Sequence, residues 1–157
     1  MQKIRACLWF DTEGEEAANF YTSIFENSKI HDVARYGDVG PGREGTVMTV
    51  TFELDGQEFM ALNGGPEFRF NEAVSFQVAC ETQEEVDAFW SSLSAGGEEG
   101  PCGWLKDKYG VSWQILPTAL GELLGDPDPE KSQLAMKAML EMKKIDIAGL
   151  KRAAGQT

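Results

Sequence analysis

The sequence has few residues that bind metals or form disulfides: one histidine, His31, and three cysteines in 157 residues. Cys7, Cys80 and Cys102 form no C-x-x-C pair, and their odd number leaves one unpaired in any disulfide scheme. Free thiols in a reducing cytoplasm are the simpler interpretation. No apolar run approaches membrane-spanning length, and no basic segment followed by an apolar one opens the chain. We expect a cytoplasmic protein with no membrane partner.

Basic residues are also scarce. Lys and Arg number 14 against 26 Asp and Glu, which gives a formal net charge of −12. Nucleic-acid binding depends on clustered positive charge, so the sequence predicts no nucleic-acid partner. Hydrophobic residues make up 42% of the chain, which is typical of a globular protein with a packed core.

The first half of the chain predicts one β-α-β-β-β module. Thr12 to Glu15 fits a capping box at the start of a helix, and Asp55-Gly56 is a hairpin turn signal. The predicted elements are a strand at 3–10, a helix at about 15–26, and strands at 29–36, 46–54 and 57–63; a glycine-rich loop covers 37–45.

The second half repeats this pattern. A strand at 73–80 precedes a second capping box, Thr82 to Glu85, and an amphipathic helix that Gly96-Gly97 ends. A short strand at about 98–102 and two strands between Trp104 and Leu116, joined by a turn at 107–110, complete the module. The sequence predicts two copies of one unit and an α+β fold.

The residues after the second module predict a helical extension. We place one domain at 1–120, with module one at 1–63, a linker at 64–72 and module two at 73–117, and the extension at 121–157. A linker at 121–129 leads to a helix capped by Asp128 that runs to about Lys144, and a last short helix follows Asp146. The methionine-rich side of this extension could cover a pocket or contact a partner, but packing on its own domain is favoured.

These modules, with their motifs, resemble the vicinal oxygen chelate superfamily, which includes glyoxalase I, extradiol dioxygenases, and fosfomycin resistance and bleomycin-binding proteins. The PhnB-like branch, often labelled "3-demethylubiquinone-9 3-methyltransferase", is the closer likeness. The segments that carry it are LWFD at 8–11, EAANFY at 16–21, SFQV at 75–78, EVD at 85–87, DKYGVSWQ at 107–114 and MKKID at 142–146. The resemblance implies a half-open mixed β-barrel around a pocket, and a homodimer.

The resemblance also implies where metal ligands would lie in this fold. Relatives that use a metal carry its ligands on the first and last strand of each module. Here those places fall near Ala6 or Leu8, at Met60, near Ser75 or Gln77, and at Gln114, which replaces a glutamate of the relatives. Divalent ions prefer imidazole or charged oxygen ligands, so we expect no metal cofactor, with a divalent ion as the alternative because glutamine can serve as a ligand.

Six residues are the candidate pocket contacts: Phe10, Met60, Ser75, Gln77, Trp104 and Gln114. Gln77 and Gln114 would alternatively form a hydrogen-bonded core pair. Trp104, where the hairpin begins, is the best aromatic contact. His31 and Cys102 are better explained as structural residues, and no catalytic residue is assigned.

The sequence favours a metal-independent protein that binds a small molecule. The alternative is a metal-dependent lyase, isomerase or dioxygenase of the same superfamily. Methyl transfer is the weaker alternative, because the glycine-rich stretch at 37–42 lacks the following helix that a nucleotide-binding turn requires.

Overall fold

The computed structural model describes residues 2–155. Its internal contacts divide the chain into two units, Met1–Phe70 and Asn71–Thr157. The division falls inside the predicted linker at 64–72. The assignment of 1–120 to one domain with a separate extension stays a prediction.

The first unit is a four-stranded mixed sheet with one helix. Its elements are β1 (Ala6–Phe10), α1 (Gly14–Ile24), β2 (Lys29–Arg35), β3 (Val47–Leu54) and β4 (Gln57–Asn63). The strand order is β1-β4-β3-β2, with β1 parallel to β4 and the other pairs antiparallel. All five predicted elements of the first module are present.

The core of this unit lies between the sheet and α1. Strand side chains alternate between faces, and Val50 and Phe52 of β3 are fully buried together with Tyr21 of α1. The rings of Phe52 and Phe59 stack with centroids 5.5 Å apart. Burial of such large apolar side chains stabilises the unit by about 1.5–3 kcal/mol for each.

The predicted capping box at the start of α1 is wrong. The Thr12 side chain does not cap the helix, which begins at Gly14 with Glu13 as the N-cap residue and no side-chain cap bond. The Gly14 amide instead donates to the Asn63 side-chain oxygen at 2.8 Å. A residue distant in sequence performs the capping role, which local spacing does not reveal.

The predicted hairpin turn after β3 is confirmed, because Asp55 and Gly56 both have positive φ, 49° and 78°.

The second unit repeats the topology of the first. Its sheet contains β5 (Ser75–Cys80), β6 (Glu98–Glu99), β7 (Trp104–Lys106) and β8 (Ser112–Pro117), with α2 (Gln83–Ser94) between β5 and β6. The strand order β5-β8-β7-β6 matches that of the first sheet, and β5 runs parallel to β8. The prediction of an α+β fold built from two β-α-β-β-β modules is confirmed.

The N-terminus of α2 is capped as predicted. The Thr82 hydroxyl accepts a hydrogen bond from the Glu85 amide at 3.2 Å. The Glu85 carboxylate accepts from the Glu81 amide at 3.3 Å, one residue before the cap. The turn between β7 and β8 is held by buried Asp107, whose carboxylate accepts from the Val111 amide and from the Trp113 indole.

Three helices follow β8: α3 (Thr118–Leu124), α4 (Pro129–Leu140) and α5 (Ile147–Ala153). The predicted linker at 121–129 is wrong in its first half, because α3 continues directly from β8 and buries Leu120 and Leu123. Gly121, the residue that suggested a linker, is tolerated within the helix. The helix predicted to reach Lys144 ends at Leu140.

The C-terminal helices have a core of their own within the second unit. Leu120, Leu123, Ala135, Ile145, Leu150 and Ala154 form one buried cluster. Asp128 caps α4 by accepting from the Glu130 amide, and Asp146 caps α5 by accepting from the Gly149 amide. Both caps were predicted. Over residues 2–155, no helix is long and apolar enough to cross a membrane.

Candidate functional site

Six side chains share one face of the second sheet. The register pairs Gln77 with Gln114 and Trp104 with Gln114 across neighbouring strands. One pleat away it pairs Ser75 with Ser112, and Ser112 with Lys106. Directly paired residues project to the same side. We call this surface the second-sheet face: Ser75, Gln77, Trp104, Lys106, Ser112 and Gln114.

The opposite side of this sheet is the packed one. Trp113 and Ile115 alternate with the second-sheet face along β8 and are buried. Helix α2, with Val86 and Trp90 buried, packs against β8. Helix α2 therefore packs on the side of the sheet opposite the second-sheet face.

Gln114 is the centre of the polar contacts on this face. Its side-chain nitrogen donates to the Ser75 hydroxyl oxygen at 2.9 Å. Gln114, Ser75 and Trp104 are half-buried, whereas Gln77 is exposed. Gln77 and Gln114 are thus neighbours, as expected, but an exposed Gln77 does not form the buried core pair that was the alternative.

Ser112 lies on this face but is not among the six candidate pocket contacts. It is 1% exposed, and its hydroxyl oxygen has no hydrogen-bond partner within residues 2–155. A buried polar atom without a partner costs about 1–3 kcal/mol. The alternation that placed Gln114 on this face also places Ser112 there; only its missing partner needed the structure.

The two candidate residues of the first unit lie on opposite faces of their sheet. Met60 is half-buried and pairs with Cys7 of β1. Phe10 pairs with Asn63 on the α1 side, is 3% exposed, and packs its ring against Phe70 with centroids 5.2 Å apart. The placement of Phe10 gives no support to its predicted ligand contact, and its neighbours make it a core residue.

Trp9, on the Met60 side of the first sheet, is held by the segment that follows β4. Its indole nitrogen donates to the Gly65 carbonyl at 2.9 Å. The Phe68 ring meets it edge-on with centroids 4.9 Å apart. A Cβ atom at Gly64 would lie only 2.4 Å from the indole, so this contact requires glycine.

The comparisons with known proteins identify the family. The model of the 3-demethylubiquinone-9 3-methyltransferase family matches residues 2–116. The chain belongs to this family. It is 44% identical to the PhnB protein of Bacillus cereus, a 3-demethylubiquinone-9 3-methyltransferase by name, over 74% of this chain and 100% of that one, with a TM-score of 0.67. The comparison with curated proteins finds no match.

More distant structures share the fold of this 3-demethylubiquinone-9 3-methyltransferase family member. Protein PA1353 of Pseudomonas aeruginosa is 17% identical with a TM-score of 0.62 over 74% of this chain and 98% of its own. The fosfomycin resistance protein FosX of Listeria monocytogenes is 17% identical with a TM-score of 0.54, over 80% of this chain and 98% of its own. These likenesses show a shared fold.

The residues at the expected ligand positions do not fit the metal that the resemblance to the vicinal oxygen chelate superfamily implies. In the first sheet, the register pairs Met60 with Cys7, and not with the expected Ala6 or Leu8. In the second sheet, it pairs Gln114 with Gln77. The thiol and thioether in the first unit are poor ligands for a hard divalent ion, and so are the two amides in the second unit. Cys7 is exposed, but partial desolvation raises the pKa of its thiol, against the opposing effect of the Arg5 charge.

The other side chains of types that can bind a metal lie apart from these positions. His31 faces the Glu53 carboxylate, with 3.3 Å between Nε2 and Oε1. Within the part of the chain that the structure covers, no three His, Cys, Asp or Glu side chains come together as a metal site. Burial raises the pKa of Cys80 to about 11, which is typical of an inert packed thiol.

Proposed function

We propose that this protein binds a small organic molecule at the second-sheet face without a metal cofactor. The observation that carries the proposal is the Gln114–Ser75 hydrogen bond beside half-buried Trp104. Ligand sites combine an apolar or aromatic surface with a few fixed polar groups that orient the ligand. Trp104 supplies the aromatic surface, and the oriented amide and hydroxyl supply the polar groups.

The amides favour binding over metal-assisted chemistry. In relatives that use a metal, the last strand supplies a glutamate that serves as ligand or base. Gln114 stands there and is uncharged, so it neither neutralises a cation nor removes a proton at neutral pH. Its amide both donates and accepts hydrogen bonds, which suits recognition of a polar group on an organic ligand.

Elemental analysis of the purified, untagged protein tests the metal-free part of the proposal. We expect substoichiometric metal and the same melting temperature before and after chelator treatment. A bound ion stabilises the state that binds it, so near-stoichiometric metal with a lower melting temperature after its removal would reject this proposal. A metal-dependent lyase, isomerase or dioxygenase would then become the leading function.

Methyl transfer, which the family name suggests, requires a site for the methyl donor. Methyl-donor and nucleotide sites usually lie at a glycine-rich turn between a strand and a helix. Here β1 leads into α1 through Asp11 to Glu13, without such a glycine cluster. We therefore expect titration calorimetry with S-adenosylmethionine to detect no binding; micromolar affinity would make methyl transfer the better proposal.

A cytoplasmic homodimer is the second part of the proposal. The resemblance to the superfamily supports the dimer, and the three free cysteines suit a reducing compartment. Sedimentation velocity at micromolar concentration should give twice the chain mass of 17.3 kDa. A single species at the chain mass would contradict the dimer without touching the binding proposal.

A further inference from the structure

Three hydrogen-bond donors lie side by side at one end of the second-sheet face. The register pairs Ser75 with Ser112 and Ser112 with Lys106, so these three residues form one row across β5, β8 and β7. Trp104 and Gln114 form the next row, one pleat along. An aromatic surface therefore adjoins a row made of two hydroxyls and one ammonium.

The two hydroxyls have hydrogens to donate. The Ser112 oxygen is buried and has no hydrogen-bond partner among residues 2–155. The Ser75 oxygen accepts from Gln114, and a hydroxyl that accepts one bond still has its own hydrogen to donate. A buried donor without a partner is rare in native proteins and requires an explanation. A ligand acceptor at this row supplies one.

A carboxylate already contacts the cation of this row. Lys106 Nζ forms an ion pair with the carboxylate of Glu72, in the segment before β5. The hydrogen bond and charge of Glu72 raise the pKa of Lys106, and those of Lys106 lower the pKa of Glu72. The side chains of Lys106 and Glu72 are 37% and 58% exposed. Exposed ion pairs contribute little to stability, so Glu72 is readily replaced.

We propose that the ligand of the second-sheet face carries an anionic oxygen group, such as a carboxylate, that replaces Glu72 on Lys106 and accepts hydrogen bonds from Ser112 and Ser75. The apolar part of the ligand packs on Trp104 in the next row. This inference rests on the proposed function and names the ligand class for it. In a protein of net charge −12, an anion requires such a local cation to bind.

A matched pair of aromatic probes, 2-naphthoate and 2-naphthamide, tests the charge requirement. The ring is the same, and only the carboxylate differs from the neutral amide. Binding is measured by titration calorimetry and by the shift of the Trp104 indole resonance in the ¹H–¹⁵N spectrum, assigned with Trp104→Phe. Because hydrogen bonds to charged groups are about twice as strong as neutral ones, we expect about tenfold tighter binding of the naphthoate.

Substitutions of the ion pair locate the effect. Lys106→Met should abolish the preference for the naphthoate, and Glu72→Gln should strengthen naphthoate binding several-fold by removing the competing carboxylate. The control is the ion pair between Lys144 and Asp87, whose Nζ and Oδ1 lie 2.8 Å apart on the α2 side of the same unit. Lys144→Met and Asp87→Asn should leave the affinity of both probes unchanged.

Ser112→Ala separates a binding role from a packing role. Removing a buried hydroxyl without a partner should raise the melting temperature, and it should weaken naphthoate binding while leaving naphthamide binding unchanged. A lower melting temperature with unaltered naphthoate affinity would make Ser112 a packing residue and overturn its part in the proposal.

The two probes also separate this inference from the function on which it rests. Equal affinity for both probes, insensitive to Lys106→Met, would overturn the anionic ligand and leave the binding function standing. No binding of either probe, with an unshifted Trp104 resonance, would count against both.

Discussion

Gln114 is the residue on which the proposed binding function most depends. Its amide is half-buried and forms one hydrogen bond, to Ser75. Gln114→Leu removes that bond from a partly solvated position, so the free energy of unfolding should fall by no more than about 1 kcal/mol. The affinity for 2-naphthoate should fall by about tenfold because the orienting amide is lost.

Urea unfolding and titration calorimetry on the same preparation separate the two effects for Gln114→Leu. Gln57→Leu, at an exposed site where β4 begins, is the matched control and should change neither quantity much. If Gln114→Leu strongly destabilises the protein and leaves naphthoate affinity intact, Gln114 is a core residue only.

Two glycines near the ends of β7 share a backbone requirement but differ in their surroundings. Gly103 and Gly110 have φ of +84° and +89°, a region that side chains with a Cβ rarely adopt. A Cβ atom at Gly103 would lie 2.9 Å from the Ile115 carbonyl oxygen and 3.3 Å from the Ile145 side chain. A Cβ atom at Gly110 would meet no atom of residues 2–155 within 4 Å beyond its two chain neighbours.

Alanine at these two glycines should therefore have unequal costs. Gly110→Ala should lower the free energy of unfolding by about 1–2 kcal/mol, the cost of a left-handed residue. Gly103→Ala adds the clash with backbone and should cost about 1–3 kcal/mol more. Chemical denaturation of both variants measures the difference; equal losses would show that the loop at Gly103 relaxes freely.

At the scale of helices, the two predicted capping boxes differ although both have threonine followed three residues later by glutamate. Thr82 accepts from the Glu85 amide, whereas Thr12 does not cap α1, whose first amide bonds to Asn63. Thr82→Ala should thus destabilise the protein by about 1 kcal/mol. Thr12→Ala, the matched control, should have almost no effect. Similar losses in thermal unfolding for both variants would mean that Thr12 caps in solution.

Gln83 of α2 forms two hydrogen bonds to the backbone of the segment between α4 and α5. Gln83 donates to the Ile145 carbonyl at 3.0 Å, and its oxygen accepts from the Ile147 amide at 2.8 Å. Gln83→Ala leaves both backbone groups without this partner. Hydrogen exchange at Ile147 should then accelerate more than at amides within β8.

The control for Gln83→Ala is Gln77→Ala, on the second-sheet face and away from those two hydrogen bonds. It should leave exchange at Ile147 unchanged. If Gln83→Ala accelerated exchange uniformly over the unit, the substitution would act through global stability, and the C-terminal segment would have no local opening of its own.

For the whole molecule, the fold was predictable because its signals are periodic and occur twice. Alternation in β3 and β8, and the helical spacing after Thr82, do not depend on distant residues. The failures have non-local causes. Asn63, 49 positions after Gly14, caps α1 in place of Thr12, and Gly121 is accommodated in a helix because Leu120 and Leu123 have a core to cover.

The candidate site was less predictable, because the face of the sheet on which a strand side chain lies depends on the strand register. An assignment shifted by one residue moves every strand side chain to the other face. Phe10 and Met60 were both expected to contact a ligand. The register pairs Met60 with Cys7 and Phe10 with Asn63, which puts Met60 and Phe10 on opposite faces of the sheet. Gln114 and Trp104 lie on a hairpin that the sequence predicts, and the register pairs them; their contact with a ligand stays a prediction. The ion pair of Lys106 with Glu72 joins separate segments, and the unsatisfied hydroxyl of Ser112 depends on its three-dimensional surroundings.

The overall charge of −12 should make stability depend on salt. Excess like charge destabilises the compact state, and exposed ion pairs such as Lys144 with Asp87 contribute little against it. Raising sodium chloride from about 0.01 M to about 0.1 M shortens the Debye length from about 30 Å to about 10 Å. The melting temperature should therefore rise over this range.

A charge-reduced variant identifies the cause of that rise. Asp38→Asn with Glu44→Gln removes two exposed acidic charges from the loop before β3. This variant should melt higher than the wild type at low salt and gain less from added salt, because less repulsion remains to be screened. A melting temperature that falls with salt in both proteins would mean that the attractive ion pairs outweigh the repulsion of the excess acidic residues.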